Sequence, residues 1–84
     1  MNKNKVVVHL MGRDYTMVTD QPIEKVQRLA KYVDRRSREL SILTRAGENM
    51  LPILTAITLA DELFTSQDEI TRLRREIADQ GKNK

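Results

Sequence analysis

Apolar residues recur every seven positions in the second half of the chain, at Ala56, Leu63, Ile70 and Ile77, with Leu59 and Leu73 three places after members of that row. This is the a and d pattern of a coiled coil, interrupted by polar Ser66 and Gln80. Nothing breaks helical periodicity from about Leu51 to Gln80, so at roughly 1.5 Å per residue the predicted helix is about 45 Å long. A compact chain of 84 residues has a radius of gyration of only about 12 Å. Such a helix projects beyond any core this chain can build, and its apolar seam calls for a partner, most simply another copy of the same chain. Glu62, Glu69 and Glu76 fall at g, and Gln67 and Arg74 at e. Glu69 would then face Arg74 of a parallel neighbour, whereas an antiparallel pairing would set g against g.

The pattern upstream has a different period. Val6, Val8 and Leu10 alternate with Val7, His9 and Met11, and a second alternating run passes through Tyr15, Thr16, Met17 and Val18. Two strands joined by a turn at Gly12 with Arg13 or Asp14 are expected, with one face covered, because an isolated hairpin is marginal in water. Asp20, Gln21 and Pro22 have the composition of a helix start. Ile23, Val26, Ala30, Val33, Ser37 and Leu40 then share one helical face, widened by Leu29, while Glu24, Arg28, Lys31, Arg35 and Arg38 line the other. Ser41 to Glu48 reads as a turn, Asn49 as a cap, and Pro52 as a first-turn proline of the long helix. Met50, Leu51, Ile53, Leu54, Ile57, Ala60 and Phe64 widen the apolar arc there, so this half is expected to pack on the hairpin and first helix. The stalk is expected to stop at Gly81, with Lys82 to Lys84 a loose tail. The fold class is α+β in the order ββαα: a head over residues 1–50 and a long self-association helix with a short basic tail over 51–84.

Composition narrows the function. The chain has no cysteine, which removes disulfide frameworks, cysteine-ligated metals and thiol catalysis. His9 is the only histidine, and its place in a strand suits a solvent face or a subunit contact better than catalysis. Asp61 and Glu62 are helix neighbours that point in different directions, so they form no carboxylate pair, and the isolated Gly12 and Gly47 form no phosphate loop. No enzyme, cofactor or small-molecule substrate is expected. No stretch approaches the roughly 20 apolar residues of a membrane span, so no membrane insertion is expected and a cytoplasmic protein is. The net charge of +3 is mild and is placed partly in the ends, at Lys3, Lys5, Lys82 and Lys84. The Arg28, Lys31, Arg35 and Arg38 stripe nevertheless makes one positive surface, suited to an acidic protein or to phosphates. Aromatic residues are limited to Tyr15, Tyr32 and Phe64, which disfavours nucleic acid as a partner.

With these elements placed, the chain resembles the ZapA family of bacterial cell-division proteins over nearly its whole length. The spacing Val6, Val8, Leu10, Gly12, Tyr15 and Met17 is similar to the family's N-terminal hairpin. The run from Leu54 through Leu63 is similar to its signature early in the long helix, with Thr58 standing where the family has Asn. Val33 and Asp34, followed by Arg36 and Leu40, resemble the end of its first helix. The resemblance implies a dimerising head, a coiled-coil stalk, a homodimer that often becomes a tetramer, and binding to FtsZ, the division GTPase, whose filaments it bundles at the mid-cell Z-ring. Arg13, at a position often basic in the family, becomes the first candidate for touching FtsZ, with Arg35, Arg36, Arg38 and Arg45 added on charge alone. Ile57, Leu59, Leu63, Phe64, Ile70, Leu73 and Ile77 are the expected self-association residues. The rival reading is a basic helical adaptor for nucleic acid or the nucleoid, working through the Arg28 to Arg38 stripe.

Overall fold

Met11 and Gly12 form the turn that organises the N-terminal half, with φ of 54° and 82°. Positive φ at both central residues is the type I′ geometry, whose twist matches that of paired strands. The turn joins β1 (Asn4–Leu10) to β2 (Arg13–Thr19) in an antiparallel register running from Leu10↔Arg13 to Asn4↔Thr19. The computed structural model describes residues 3–82. Arg13 and Asp14, expected in the turn, are therefore the first residues of β2, and Met11 leaves the strand for the turn. The cause lies far away in sequence, because the Met11 amide donates to Oδ1 of Asp34 at 2.9 Å and fixes the turn at this residue. Lys5, placed among loose end charges by its sequence position, lies within β1.

Helix α1 (Ile23–Thr44) follows Pro22, which takes the cap position with φ of −58° and no side-chain capping bond. Asp20 and Gln21 do not cap it. Gln21 instead ties the strands to the helix, donating its amide to Thr19 Oγ1 at 3.0 Å and accepting Asn4 Nδ2 on its carbonyl at 3.1 Å. The helix also runs further than the turn composition of Ser41 to Glu48 suggests. Thr44 Oγ1 donates back to the Leu40 carbonyl, and Arg45, left-handed at φ 55°, closes the end by donating its amide to Ser41 at 3.0 Å. Such a left-handed stop satisfies carbonyls that the last turn would otherwise leave orphaned.

α1 lies against β1. Val6, Val8 and Val26 form the buried cluster, with Leu10 and Ala30 packed at its margin. The sheet has two strands, and α1 covers the first and not the second, so Tyr15 and Met17 stay exposed on the side of the sheet that faces α1. Helix α2 (Leu51–Lys82) starts from a turn in which the Met50 and Leu51 amides both donate to the Gly47 carbonyl at 3.0 Å. Asn49 makes no side-chain capping bond among the described residues, and Pro52 sits in the first turn, where its missing N–H leaves no bond unmade.

The first half of α2 packs on α1 alone and not on the hairpin, contrary to the expectation of burial against both. Thr55 is its one fully buried residue among the described ones, flanked by half-buried Leu51, Leu54, Thr58 and Leu59. Met50, Ile53, Ile57 and Phe64 are exposed, because one neighbouring helix can cover only one face of another. Gly81 does not stop the helix, which includes Lys82; glycine permits a left-handed stop without imposing one. The rest of the expected tail, residues 83 and 84, lies outside the described residues. With 32 residues α2 is about 48 Å long. The described chain is 56 Å in its longest dimension with a radius of gyration of 18.0 Å, well above that of a compact chain of this length.

Candidate functional site: an uncovered helix and two clefts

Two apolar stripes run along the first half of α2. One meets α1, and the other, Ile53, Ile57 and Phe64, lies on the opposite side, with Ile57 and Phe64 each 64% exposed. A helix apolar on both sides is stable in water only when both are covered. Tyr32 of α1 lies beside Leu59, Glu62, Leu63 and Ser66 in a shallow cleft, and past it Ile70, Leu73 and Ile77 continue the heptad row exposed. Of the residues expected to drive self-association, Leu59 is half-buried on α1, and Ile57, Leu63, Phe64, Ile70, Leu73 and Ile77 are exposed. Ile57 and Phe64 lie on one side of the helix, whereas Leu63, Ile70, Leu73 and Ile77 share the opposite face over about 21 Å. Its polar flank is ordered within the chain, since Arg72 binds Glu76 at 2.9 Å and Glu69 at 3.4 Å. Glu69 and Glu76 are thus shared between this internal pairing and any partner across the seam.

The basic residues separate into distinct places. Arg13 opens β2 and lines a cleft of about 400 Å³ between the hairpin tip and the start of α2, with Gly12, Tyr15, Asn49 and Pro52. Arg35 and Arg38 line a different groove of about 620 Å³, which α1 forms with the His9 end of β1 and which includes Arg28 and Lys31. Arg35 stacks over Tyr32, 5.2 Å from the ring centroid, a cation–π arrangement. Arg38 reaches Asp34 at 3.6 Å. Arg45 is the exposed left-handed residue at the end of α1.

Arg36 does something else. Only half-buried, it binds Glu39 on its own helix at 2.9 Å and Glu62 on α2, and so pins the two helices together. Hydrogen bonding to Glu39, reinforced by the charge of Glu62, raises its pKa above the usual guanidinium value, while partial burial opposes the rise. Glu62, at a heptad g position by its sequence spacing, is thereby an inter-helix tie within the chain. No local pattern singles out Asp34 either, yet it anchors the hairpin tip through Met11. His9 is exposed and pairs across the strands with Asp14 at 2.8 Å. No group of three or more histidines or acidic residues that could hold a metal occurs among the described residues, and no helix among them is long and apolar enough to cross a membrane.

Comparison with known proteins agrees over the whole of this architecture. The family model described as "Cell division protein ZapA" matches residues 6–83. A cell division protein ZapA of Geobacillus kaustophilus is 30% identical over 76 residues, covering 89% of this chain and 84% of the relative. One from Geobacillus thermodenitrificans is 31% identical over 72 residues, covering 84% of this chain and 79% of the relative. The solved structure of a ZapA mutant dimer from Geobacillus stearothermophilus superposes with a TM-score of 0.67 at 29% identity, over 92% of this chain and 91% of that one.

Proposed function

The chain belongs to the ZapA family of cell division proteins, and on that premise we propose that it is a non-enzymatic crosslinker that binds FtsZ filaments and bundles them at the mid-cell ring. Residues 1–50 act as the filament-binding head and 51–84 as the arm that joins copies in the cytoplasm. The observation that carries this reading is the exposed row Leu63, Ile70, Leu73 and Ile77 on a helix that leaves its own fold. A surface of that kind serves assembly, and an assembly with two heads can hold two filaments. The dimeric state of the Geobacillus stearothermophilus ZapA mutant supports the first step.

Arg13 is the foremost filament contact in this proposal, because it is exposed beside the hairpin tip, away from the helical row that joins copies. Arg35, Arg38 and Arg45 are secondary contacts, and Arg36, occupied by two glutamates, is the weakest of the set. Self-association uses Ile57, Leu59, Leu63, Phe64, Ile70, Leu73 and Ile77. The test is co-sedimentation with GTP-polymerised FtsZ, with light scattering to detect bundles and unpolymerised FtsZ as control. Co-pelleting with raised scattering is expected. An oligomeric protein that stays in the supernatant at saturating concentration would overturn the reading and favour the adaptor alternative, whose binding to any DNA should fall steeply with salt.

A further inference from the structure

β1 has an open edge, and the groove beside it is basic. In a hairpin closed by a two-residue turn, the residues flanking the turn exchange both backbone hydrogen bonds, and such pairs recur at every second position. With Leu10↔Arg13 as the first pair, Val8↔Tyr15, Val6↔Met17 and Asn4↔Thr19 follow. The N–H and C=O groups of Lys5, Val7 and His9 therefore point away from β2. No backbone bond between elements reaches them among the described residues. They span about 13 Å, enough to pair with an extended segment of about five residues.

α1 supplies the second half of the site. It runs beside β1, and Arg28, Lys31, Arg35 and Arg38 line the groove with His9. Asp34 is the one acidic residue in that lining, and it is already engaged by the Met11 amide and Arg38. Arg28 and Lys31 form no ion pair among the described residues. Arg28 to Arg35 covers about 10 Å along the helix. Carboxylates two residues apart on a strand are about 7 Å apart on one face, so two of them fall within reach of these cations. We propose that the outer edge of β1 and the Arg28–Arg38 face of α1 bind an extended acidic polypeptide segment by strand addition; that the segment is the filament's rests on the function proposed above.

Charge selects this occupant over the other obvious one. A second copy adding its own β1 would bring two basic α1 faces together and set Lys5 and His9 against like or neutral groups. The outer edge of β2 offers Asp14, Thr16 and Val18, none of which lines the basic groove beside α1. Strand addition provides main-chain affinity, and the cations provide preference for acid at alternate positions.

A nine-residue peptide of alternating threonine and glutamate, titrated into the full-length protein by NMR, tests this. Hydrogen exchange of the Lys5, Val7 and His9 amides should slow, while Val6 and Val8, already paired with β2, should change little. The same peptide N-methylated at alternate residues keeps its charge and loses its ladder, and should bind at least about tenfold more weakly. Val7→Pro removes an outward N–H without touching the bonds to β2 and should weaken the peptide similarly, with Lys31→Glu as a second variant that leaves the strand intact. Equal binding of the methylated peptide, or protection absent from the three outward amides, would overturn strand addition. Tighter binding of oligothymidylate would overturn the polypeptide assignment. Pelleting with FtsZ filaments separates the two readings: wild-type protein that pellets, beside Lys31→Glu and Val7→Pro variants that pellet equally, refutes the edge as the filament contact and leaves the crosslinker standing. Wild-type protein that fails to pellet refutes the crosslinker, and the peptide titration still decides the edge.

Discussion

Asp34 and Thr55 both place polar atoms away from water, and they act on stability in opposite directions. Asp34 Oδ1 accepts the amide of Met11, a residue in a turn that has no other partner for that proton, at 2.9 Å. Asp34→Ala should destabilise the protein by about 1–3 kcal/mol, because an amide loses its acceptor, whereas Asp34→Asn keeps an oxygen there and should lose about half as much. Urea midpoints of the two variants check this, and equal losses would mean that the carboxylate's charge toward Arg38, and not the turn, is what matters. Thr55 is 1% exposed, and its hydroxyl has no hydrogen-bond partner among the described residues. Thr55→Val removes that orphan at nearly constant shape and should stabilise by about 1 kcal/mol. A lower melting temperature would show that the hydroxyl is satisfied in the assembled protein.

At the scale of elements, the hairpin and α2 differ in how they are written in the sequence. The heptad row of α2 repeats a local rule, one residue type at one spacing, so the helix's length and its exposed seam are legible from the residues alone. The strands are legible for the same reason, through alternation at Val6, Val8 and Leu10. The turn lies one residue earlier than its composition suggests, because Met11 carries no local hint of a left-handed conformation. Its reason is a bond from Asp34, 23 positions away. The tie between Arg36 and Glu62 is hidden for the same cause, since the two are 26 positions apart in sequence and meet only when the helices pack. The basic groove is half legible: the α1 stripe follows from helical spacing, but its neighbour, the outer edge of β1, depends on which strand α1 covers. The turn yields a prediction of its own. Type I′ turns favour Asn before Gly, so Met11→Asn should relieve the positive φ and raise stability by about 0.5–1 kcal/mol, read as a higher melting temperature. A drop would mean that the half-buried Met11 side chain contributes more by packing than its backbone loses by strain.

The whole molecule separates two requirements that a single binding assay merges. In the function proposed above, joining copies depends on α2 and engaging a filament depends on the head, so substitutions in each should fail differently. Leu63→Glu places a charge in the seam that a partner would bury, and should reduce the assembled mass to that of a single chain by sedimentation at equal concentration. Its head is untouched, so it should still pellet weakly with polymerised FtsZ and produce no rise in scattering. Weak pelleting is expected because a single head lacks the effective concentration, up to millimolar for closely linked sites, that a second head gains once the first is bound. Arg13→Glu should do the reverse, keeping the assembled mass and losing both pelleting and bundling, because the charge is inverted at the exposed start of β2 and the α2 row is left intact. If Leu63→Glu bundled filaments as well as the wild type, a single copy would have to carry two filament sites. If Arg13→Glu bundled normally, the contact would move from the hairpin tip toward the groove beside β1, where Arg35 and Arg38 lie.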